Sequence, residues 1–281
     1  MKRGWKIFWI VCGALASLGV VLCIVSLVLG VTMDQIRIRA GEGVGFHGLL
    51  KFEAGLEDDM EKTYEGITRI DADVYAGTVK ILPGEGTDVS VETKEISRRL
   101  NLEIRQEGEE LKIDTDEHVW GINDDGEGLI LIYIPRERML DQATVELKAG
   151  TLYIEDLQAQ ELSVDTGAAE AVLENVRAKE ADIACGVGSV TGSGCFSEAA
   201  EIEVGVGSLE FTLAGAEEDY NYALNVGVGE VEIGGSRYSG VGTGKEIDNK
   251  AARSISVDCG TGSAKIIFDE RLQNTWDAGG V

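Results

Sequence analysis

Proline is nearly absent from this chain, which has 2 prolines and 37 glycines among 281 residues. Collagen is excluded because it needs abundant proline, and disordered Pro/Gly tracts are excluded because aliphatic residues are plentiful. The glycines must therefore serve an ordered structure. The length allows one or two folded units.

Positive charge is also scarce, since 25 Lys and Arg stand against 50 Asp and Glu and the formal net charge is −25. Nucleic acid and bare anionic membrane are unfavourable partners, because phosphate contacts need clustered Lys and Arg. We predict no nucleic-acid partner. A cationic ligand or the basic face of another protein would be attracted, and its binding would weaken as salt rises.

Histidine is limited to His47 and His118, so a Ser-His-Asp or Cys-His site would have to be assembled from distant segments. Residues 43–48 match the dinucleotide pattern GxGxxG but no βαβ unit surrounds them, and residues 239–246 lack two positions of a phosphate loop. We predict a protein that is not an enzyme, with no catalytic, cofactor-binding or metal-binding residues.

Calcium is an alternative for two oxygen-rich clusters, residues 123–127 and residues 217–219. Such clusters can hold calcium at millimolar extracellular concentrations. Neither cluster has the spacing of an EF-hand loop or of the nonapeptide calcium repeat. A solvated acidic surface is the simpler interpretation.

Residues 7–31 are 25 consecutive residues without a charge. At 1.5 Å per residue a helix of this length exceeds a hydrocarbon core of about 30 Å, so the run predicts a transmembrane helix. A cleaved signal peptide is the alternative, but its apolar region is shorter and ends in a small-x-small site that this segment lacks. Lys2, Arg3 and Lys6 favour a cytoplasmic N-terminus at residues 1–6 and an extracellular C-terminal domain.

An internal repeat is the most informative feature of the chain. Its template is the segment 202–211, with apolar residues at offsets 0, 2 and 4, glycine at offset 5, and apolar residues at offsets 7 and 9. The offset-5 positions are 77, 150, 169, 188, 207, 229 and 262, and the four positions from 150 to 207 are 19 residues apart. A fixed period near 20 residues indicates a stacked solenoid.

The alternation within each repeat predicts strands, and the change of parity at the glycine predicts a corner. We expect an all-β fold, a β-solenoid of roughly 19-residue coils stacked in sequence order about 4.8 Å apart. Ile202, Val204 and Val206 should face inward before the corner, and Leu209 and Phe211 after it. An antiparallel sandwich is the alternative, but Asn-Gly and Asp-Gly hairpin turns are missing from the repeats.

The repeat also sets the expected domain boundaries. The solenoid covers residues 67–268, with inserted strands at 84–137 that cover its N-terminal end. Residues 32–66 form a juxtamembrane linker, residues 269–281 a C-terminal tail, and the glycine-rich stretch 234–253 a surface loop. Cys185 and Cys259 share an inward offset three coils apart, beyond disulfide reach, so buried free thiols are expected.

The segment 64–84, the sequence Ile-Tyr-Ile-Pro-Arg at 132–136 and the Val-Gly-Val-Gly rows resemble the bacterial putative-adhesin β-strand-repeat family, a domain of unknown function. The resemblance covers roughly residues 62–268. It implies a β-helix-like domain outside the membrane, following one N-terminal transmembrane helix. It implies no catalytic residues.

Together these features favour a membrane-anchored extracytoplasmic protein of the bacterial cell envelope that binds an envelope protein or a cationic ligand. Its rigid stack would display ladders of outward side chains, as other solenoids do. One alternative is a regulatory or envelope-stress accessory that acts with a membrane partner. Another is a polysaccharide-active β-helix enzyme with a pair of carboxylates.

Overall fold

Eleven strands make up most of the computed structural model, which describes residues 56–116 and 128–272. These residues fall within one compact unit, Ala54–Val281. The strands are β1 (Met60–Tyr64), β2 (Arg69–Gly84), β3 (Val89–Lys94), β4 (Glu103–Glu107), β5 (Glu110–Asp114), β6 (Leu129–Pro135), β7 (Leu140–Glu155), β8 (Gln158–Ala214), β9 (Tyr220–Ile233), β10 (Ser236–Ile247) and β11 (Arg253–Asp269). Two 3-10 helices are short, Arg98–Leu100 and Glu217–Asp219.

The long strands are coils of a parallel stack. β7 pairs in parallel with β2 and with the start of β8, and β11 pairs in parallel with the end of β8 and with β9. The 57 residues of β8 pass through three coils, about 158–176, 177–195 and 196–214. The prediction of an all-β, solenoid-like fold is confirmed, because a sandwich would have joined these strands in antiparallel pairs.

The order of the coils differs from the order of the sequence. Ser254 at the start of β11 pairs with Ala199 of β8, and Arg253 pairs with Tyr220 of β9. β11 is therefore the sixth layer and β9 the seventh, so the prediction of stacking in sequence order is wrong for the last two coils. The offset-5 column follows the order 77, 150, 169, 188, 207, 262 and 229.

The prediction of a surface loop at residues 234–253 is also wrong, because most of this segment forms strand β10. β10 runs antiparallel to β9, with Ser236 opposite Ile233 across a two-residue turn of Gly234 and Gly235. Both glycines have positive φ, +54° and +79°, as the primed hairpin turns require. Because β10 covers one edge of β9, the other edge is left for β11, which also pairs with the exposed edge of β8.

Hydrogen bonds stabilise the region in which the stacking departs from the order of the sequence. The Tyr220 hydroxyl donates to the carbonyl oxygen of Ala214 at 2.6 Å. The Asn221 side chain donates to the carbonyl of Ala251 and accepts from its N–H, at 2.8 and 3.1 Å. The amide of Asn249 donates to the carbonyl of Tyr220 at 2.8 Å. These bonds hold the segment that enters β11 against the start of β9.

Glycine forms the corner of nearly every layer. Gly207 has φ +152°, and a Cβ built on it would lie 1.9 Å from the carbonyl oxygen of Gly188 in the layer beneath. Five layers share this restriction, at positions 150, 188, 207, 262 and 229. Ala169 occupies the third layer without a positive φ. The corner therefore needs glycine both for its backbone conformation and for the close approach of the next layer.

The core fills the space between the two strand segments of each layer. In the coil of β8 used as the template, Ile202, Val204, Leu209 and Phe211 are all buried. Val206 is 50% exposed, so the prediction that it faces inward is wrong. The chain turns at Gly207, and the residue just before the turn points outward from the corner.

Additional strands lie at the N-terminal end of the stack. β5 pairs in parallel with the first half of β2, and β6 pairs in parallel with its second half. β4 pairs with β5, β3 with β6, and β1 with β3, each in antiparallel register. β1 falls inside the segment predicted as a linker, so the sheet begins before residue 67.

Cys185 and Cys259 are buried and free, as predicted. Because β11 lies directly on the last coil of β8, they are two layers apart rather than three. Burial raises the pKa of the Cys259 thiol. Both side chains act as small apolar core residues.

The predicted transmembrane helix, residues 7–31, lies outside the described residues, as does most of the predicted C-terminal tail. Among the residues that the structure describes, no helix combines the length and the apolar character needed to cross a membrane.

Val204 and Val206 provide a test of the corner, because the alternation of the sequence treats them alike and the structure does not. Val204→Asp should lower the free energy of unfolding by several kcal/mol, since it buries a carboxylate without a partner. Val206→Asp should change it by no more than about 0.5 kcal/mol, because that side chain is half exposed. Thermal and urea unfolding followed by circular dichroism measure both. Equal losses would contradict the described corner.

Candidate functional site

A groove of about 720 Å³ runs across successive layers, along the part of each strand that precedes the corner. We call it the acidic groove. Its floor consists of the buried residues Leu162, Ala181, Ala200, Tyr222 and Ile255. The groove is concave because small residues lie where other layers have long ones; these are Ser163, Ala199, Ala223, Ser254 and Ser256.

Among the residues that the structure describes, six carboxylates line the acidic groove and no Lys or Arg does so. They are Glu161, Glu180, Asp182, Glu201, Glu246 and Asp248. None of them takes part in the ion pairs found between described residues. The groove therefore concentrates negative charge that the described part of the chain does not neutralise.

The register of the stack produces this concentration. The 19-residue period places Glu180 over Glu161, and Glu201 over Asp182, in neighbouring columns. β10 extends the second column, because its Glu246 pairs with Ala223 of β9. Like charges thus recur a few ångströms apart along the axis of the stack.

A tighter cluster adjoins the acidic groove. Carboxylate oxygens of Glu201, Glu203 and Asp258 lie within 4.8 Å of one another. Glu203 and Asp258 face each other directly in the register between β8 and β11. The sequence-order stack would have placed Asn225 between them, so the contact arises from the exchanged position of β11.

Ion pairs occur on the other side of the corner, among side chains that follow it in the last layers. Lys265 of β11 lies 3.4 Å from Glu210 of β8, directly across the same register. Arg237 of β10 lies 3.4 Å from Glu230 and 2.9 Å from Glu232. The carboxylates of the acidic groove thus lie on one side of the corner and these ion pairs on the other.

Tyr222 lies in the floor of the acidic groove, where its hydroxyl donates to Glu217 at 2.5 Å. Burial, and then this hydrogen bond to a carboxylate, raise the pKa of the Tyr222 phenol well above its usual 10. The phenol stays neutral at physiological pH.

The motifs considered in the sequence contribute little to this site. Residues 123–127, residues 43–48 and both histidines lie outside the described residues. In the cluster at 217–219, Glu217 accepts from Tyr222, and Asp219 accepts from the N–H of Ala216 at 2.9 Å. The glycines and lysine at 240–245 lie in β10 rather than in a phosphate-binding loop.

Comparison with known families identifies the domain. The family described as Toastrack DUF4097 matches residues 67–235. The chain belongs to this family. The resemblance to a β-strand-repeat family of unknown function, noted in the sequence, is thereby confirmed. The Toastrack match ends at the turn after β9, so β10 and β11 lie beyond it, although both contribute to the acidic groove.

Solved structures of similar architecture come from several bacteria. A putative cell adhesion protein from Clostridium sporogenes has 16% identity and a TM-score of 0.48, over 75% of this chain and 99% of its own. A putative adhesin from Bacteroides fragilis has 14% identity and a TM-score of 0.35, over 75% and 98%. A putative lipid binding protein from Parabacteroides distasonis has 14% identity and a TM-score of 0.34, over 74% and 96%. These likenesses are too distant to assign a ligand. No curated protein matches the chain.

Two pairs that face each other between β8 and β11, Glu203 with Asp258 and Glu210 with Lys265, test the uneven distribution of charge. Asp258→Asn should raise the free energy of unfolding by about 0.2–1 kcal/mol at low salt, because it removes repulsion between facing carboxylates. Lys265→Gln should lower it by a similar amount, because it removes an attraction to Glu210. Both effects should shrink as salt is raised. Loss of stability in Asp258→Asn at every salt concentration would show that the cluster of Glu201, Glu203 and Asp258 is not electrostatically strained.

Proposed function

We propose that this Toastrack protein is a membrane-anchored, non-enzymatic binding module of the bacterial cell envelope, and that its acidic groove takes a cationic ligand. The observation that carries the proposal is the set of groove carboxylates without ion-pair partners among the described residues. A row of unneutralised charges in a concavity is unfavourable for the isolated protein. It becomes favourable when a ligand supplies the opposite charge.

The geometry of the groove strengthens this attraction. A cleft lined by one sign of charge and floored by apolar side chains focuses the field and raises the local concentration of counter-charged ligands. The low-dielectric core lies directly beneath the acidic groove, because Leu162, Ala181, Ala200, Tyr222 and Ile255 are buried there. A basic peptide or the basic face of an envelope protein has the matching chemistry.

Anionic wall polymers and lipid headgroups are poor ligands on the same argument. Their charge has the same sign as the groove, and the repulsion acts over about 30 Å at 0.01 M salt and about 8 Å at 0.15 M. Divalent cations offer the remaining route, because calcium could bridge carboxylates on both sides. A chelator distinguishes the two routes.

The membrane anchor and orientation rest on residues 7–31 and on the basic residues that precede them. A charge-free run of this length suits a single span, and Lys and Arg favour the cytoplasmic side. A regulatory role in which the anchored domain acts with a membrane partner is the second candidate function.

Binding to cationic peptide provides the principal test. Wild-type protein in nanodiscs of zwitterionic lipid should bind a lysine-rich peptide with an affinity that falls steeply as salt rises. The variant Glu180→Gln/Asp182→Asn/Glu201→Gln should lose most of this binding and much of its salt dependence. Fluorescence anisotropy of labelled peptide measures both.

A control of equal charge separates the groove from net charge. Glu85→Gln/Glu109→Gln/Glu170→Gln removes the same number of charges from exposed residues that do not line the acidic groove. This variant should bind nearly as well as the wild type. If both variants lose binding equally, the attraction belongs to the whole molecule and the groove proposal fails. Tight binding to wall polymer that persists in chelator would also contradict it.

The orientation in the membrane is tested by topology mapping. A reporter fused after Val281 should report an extracytoplasmic location, because the basic residues precede the apolar run. Protease added outside intact cells should release a domain that contains the stack. A reporter signal from the cytoplasm would overturn the proposed orientation.

A further inference from the structure

A row of exposed valines runs along the corner of the stack. Val187, Val206 and Val228 are 56, 50 and 53% exposed, and they occupy one register position in the fourth, fifth and seventh layers. Thr261 holds the same position in the sixth layer. We call these four residues the valine ridge. Single exposed apolar residues are ordinary on protein surfaces, but an aligned row is a mark of an interaction site.

The glycines beside the valine ridge keep it uncovered. Gly205, Gly227 and Gly260 follow one another along its side, and a Cβ on them would lie 2.4–2.6 Å from a backbone carbonyl of the adjacent layer. Side chains are thus sterically excluded from this strip. A furrow of about 360 Å³ remains, which we call the glycine furrow.

The two walls of the glycine furrow differ in chemistry. On the corner side, each furrow glycine is followed along the chain by a residue of the valine ridge: Val206 follows Gly205, Thr261 follows Gly260 and Val228 follows Gly227. Glu203, Asp258 and Asn225 line it on the other side, and Glu201 lies within 4.8 Å of the first two. A ligand lying along the furrow meets apolar methyl groups on one side and carboxylates on the other.

We infer that the glycine furrow docks an amphipathic cationic peptide segment, with apolar side chains on the valine ridge and Lys or Arg side chains on Glu203 and Asp258. The inference rests on the proposed function and extends it to a second surface, which adjoins the acidic groove at Glu201. Lys and Arg suit this arrangement because their aliphatic stems can cover apolar surface while the charged ends reach the carboxylates. A purely polar polycation would leave the ridge exposed.

The spacing of the layers favours a helical segment. Layers repeat about every 4.8 Å, and a helix rises about 5.4 Å per turn. Val187 and Val228 are three layers apart, so the mismatch over this distance is only about 2 Å. Apolar side chains one turn apart therefore stay close to successive residues of the ridge. An extended strand, with side chains of one face nearly 7 Å apart, falls out of step sooner.

The test compares two peptides on two proteins. One peptide places Leu and Lys at helical spacing, so that they separate onto opposite faces, and the other is a scramble of identical composition and charge. The proteins are the full chain and its variant Val187→Thr/Val206→Thr/Val228→Thr, both in zwitterionic nanodiscs with empty nanodiscs as blank. Threonine keeps the branched shape, and Thr261 already occupies the ridge. Thermal unfolding of both proteins verifies that the variant is folded.

The wild type should bind the patterned peptide about five- to tenfold more tightly than the scramble, the gain expected from covering the exposed halves of a few valines. The variant should bind the two peptides equally. If the wild type binds both peptides equally, the inference is overturned while the proposed function stands. If neither peptide binds, the proposed function itself fails. If the variant instead changes the sedimentation of the free protein, the ridge is a contact between copies and the peptide site is rejected.

Discussion

The stack depends on one steric constraint, which is the distance between a corner and the carbonyl of the layer beneath. At Gly207 a single methyl group would lie 1.9 Å from the oxygen of Gly188. Layers that pair in parallel through backbone hydrogen bonds stay close together. Glycine therefore occupies this corner in six of the seven layers, where it lets the strand turn and remain hydrogen-bonded.

The same constraint determines where charged and apolar side chains lie on the surface of the stack. Because each corner has a fixed place in the repeat, each residue position becomes a column of side chains along the stack. Columns before the corner contain the carboxylates of the acidic groove, and columns after it contain pairs such as Glu210 and Lys265. The corner itself carries the valine ridge between strips of glycine. A regular scaffold thus presents three kinds of surface side by side.

Periodicity predicted the strands, the glycine corners and most of the core, because these depend on spacing within one coil. It failed to predict the order of the last two layers, because that order depends on which strand edges are free to pair. The Gly234-Gly235 hairpin covers one edge of β9 and moves β11 inward, and its polar sequence resembled a loop. The contact between Glu203 and Asp258 was missed for the same reason. Val206 was misplaced because alternation alone does not show that the residue immediately before the corner already points outward.

The position of β11 has a consequence for the order of folding. Layers from β2 to the end of β8 can assemble in the order of synthesis, each on the one before it. β9 and β10 are made next, yet the layer that joins them to β8 is made last, near the C-terminus. The contacts between β8 and β11 span about 55 residues, against 19 residues between β7 and β8, so adding β11 costs more loop entropy than adding the first coil of β8. A ribosome that stalls before residue 253 leaves a chain with two open sheet edges, which is the form most exposed to aggregation.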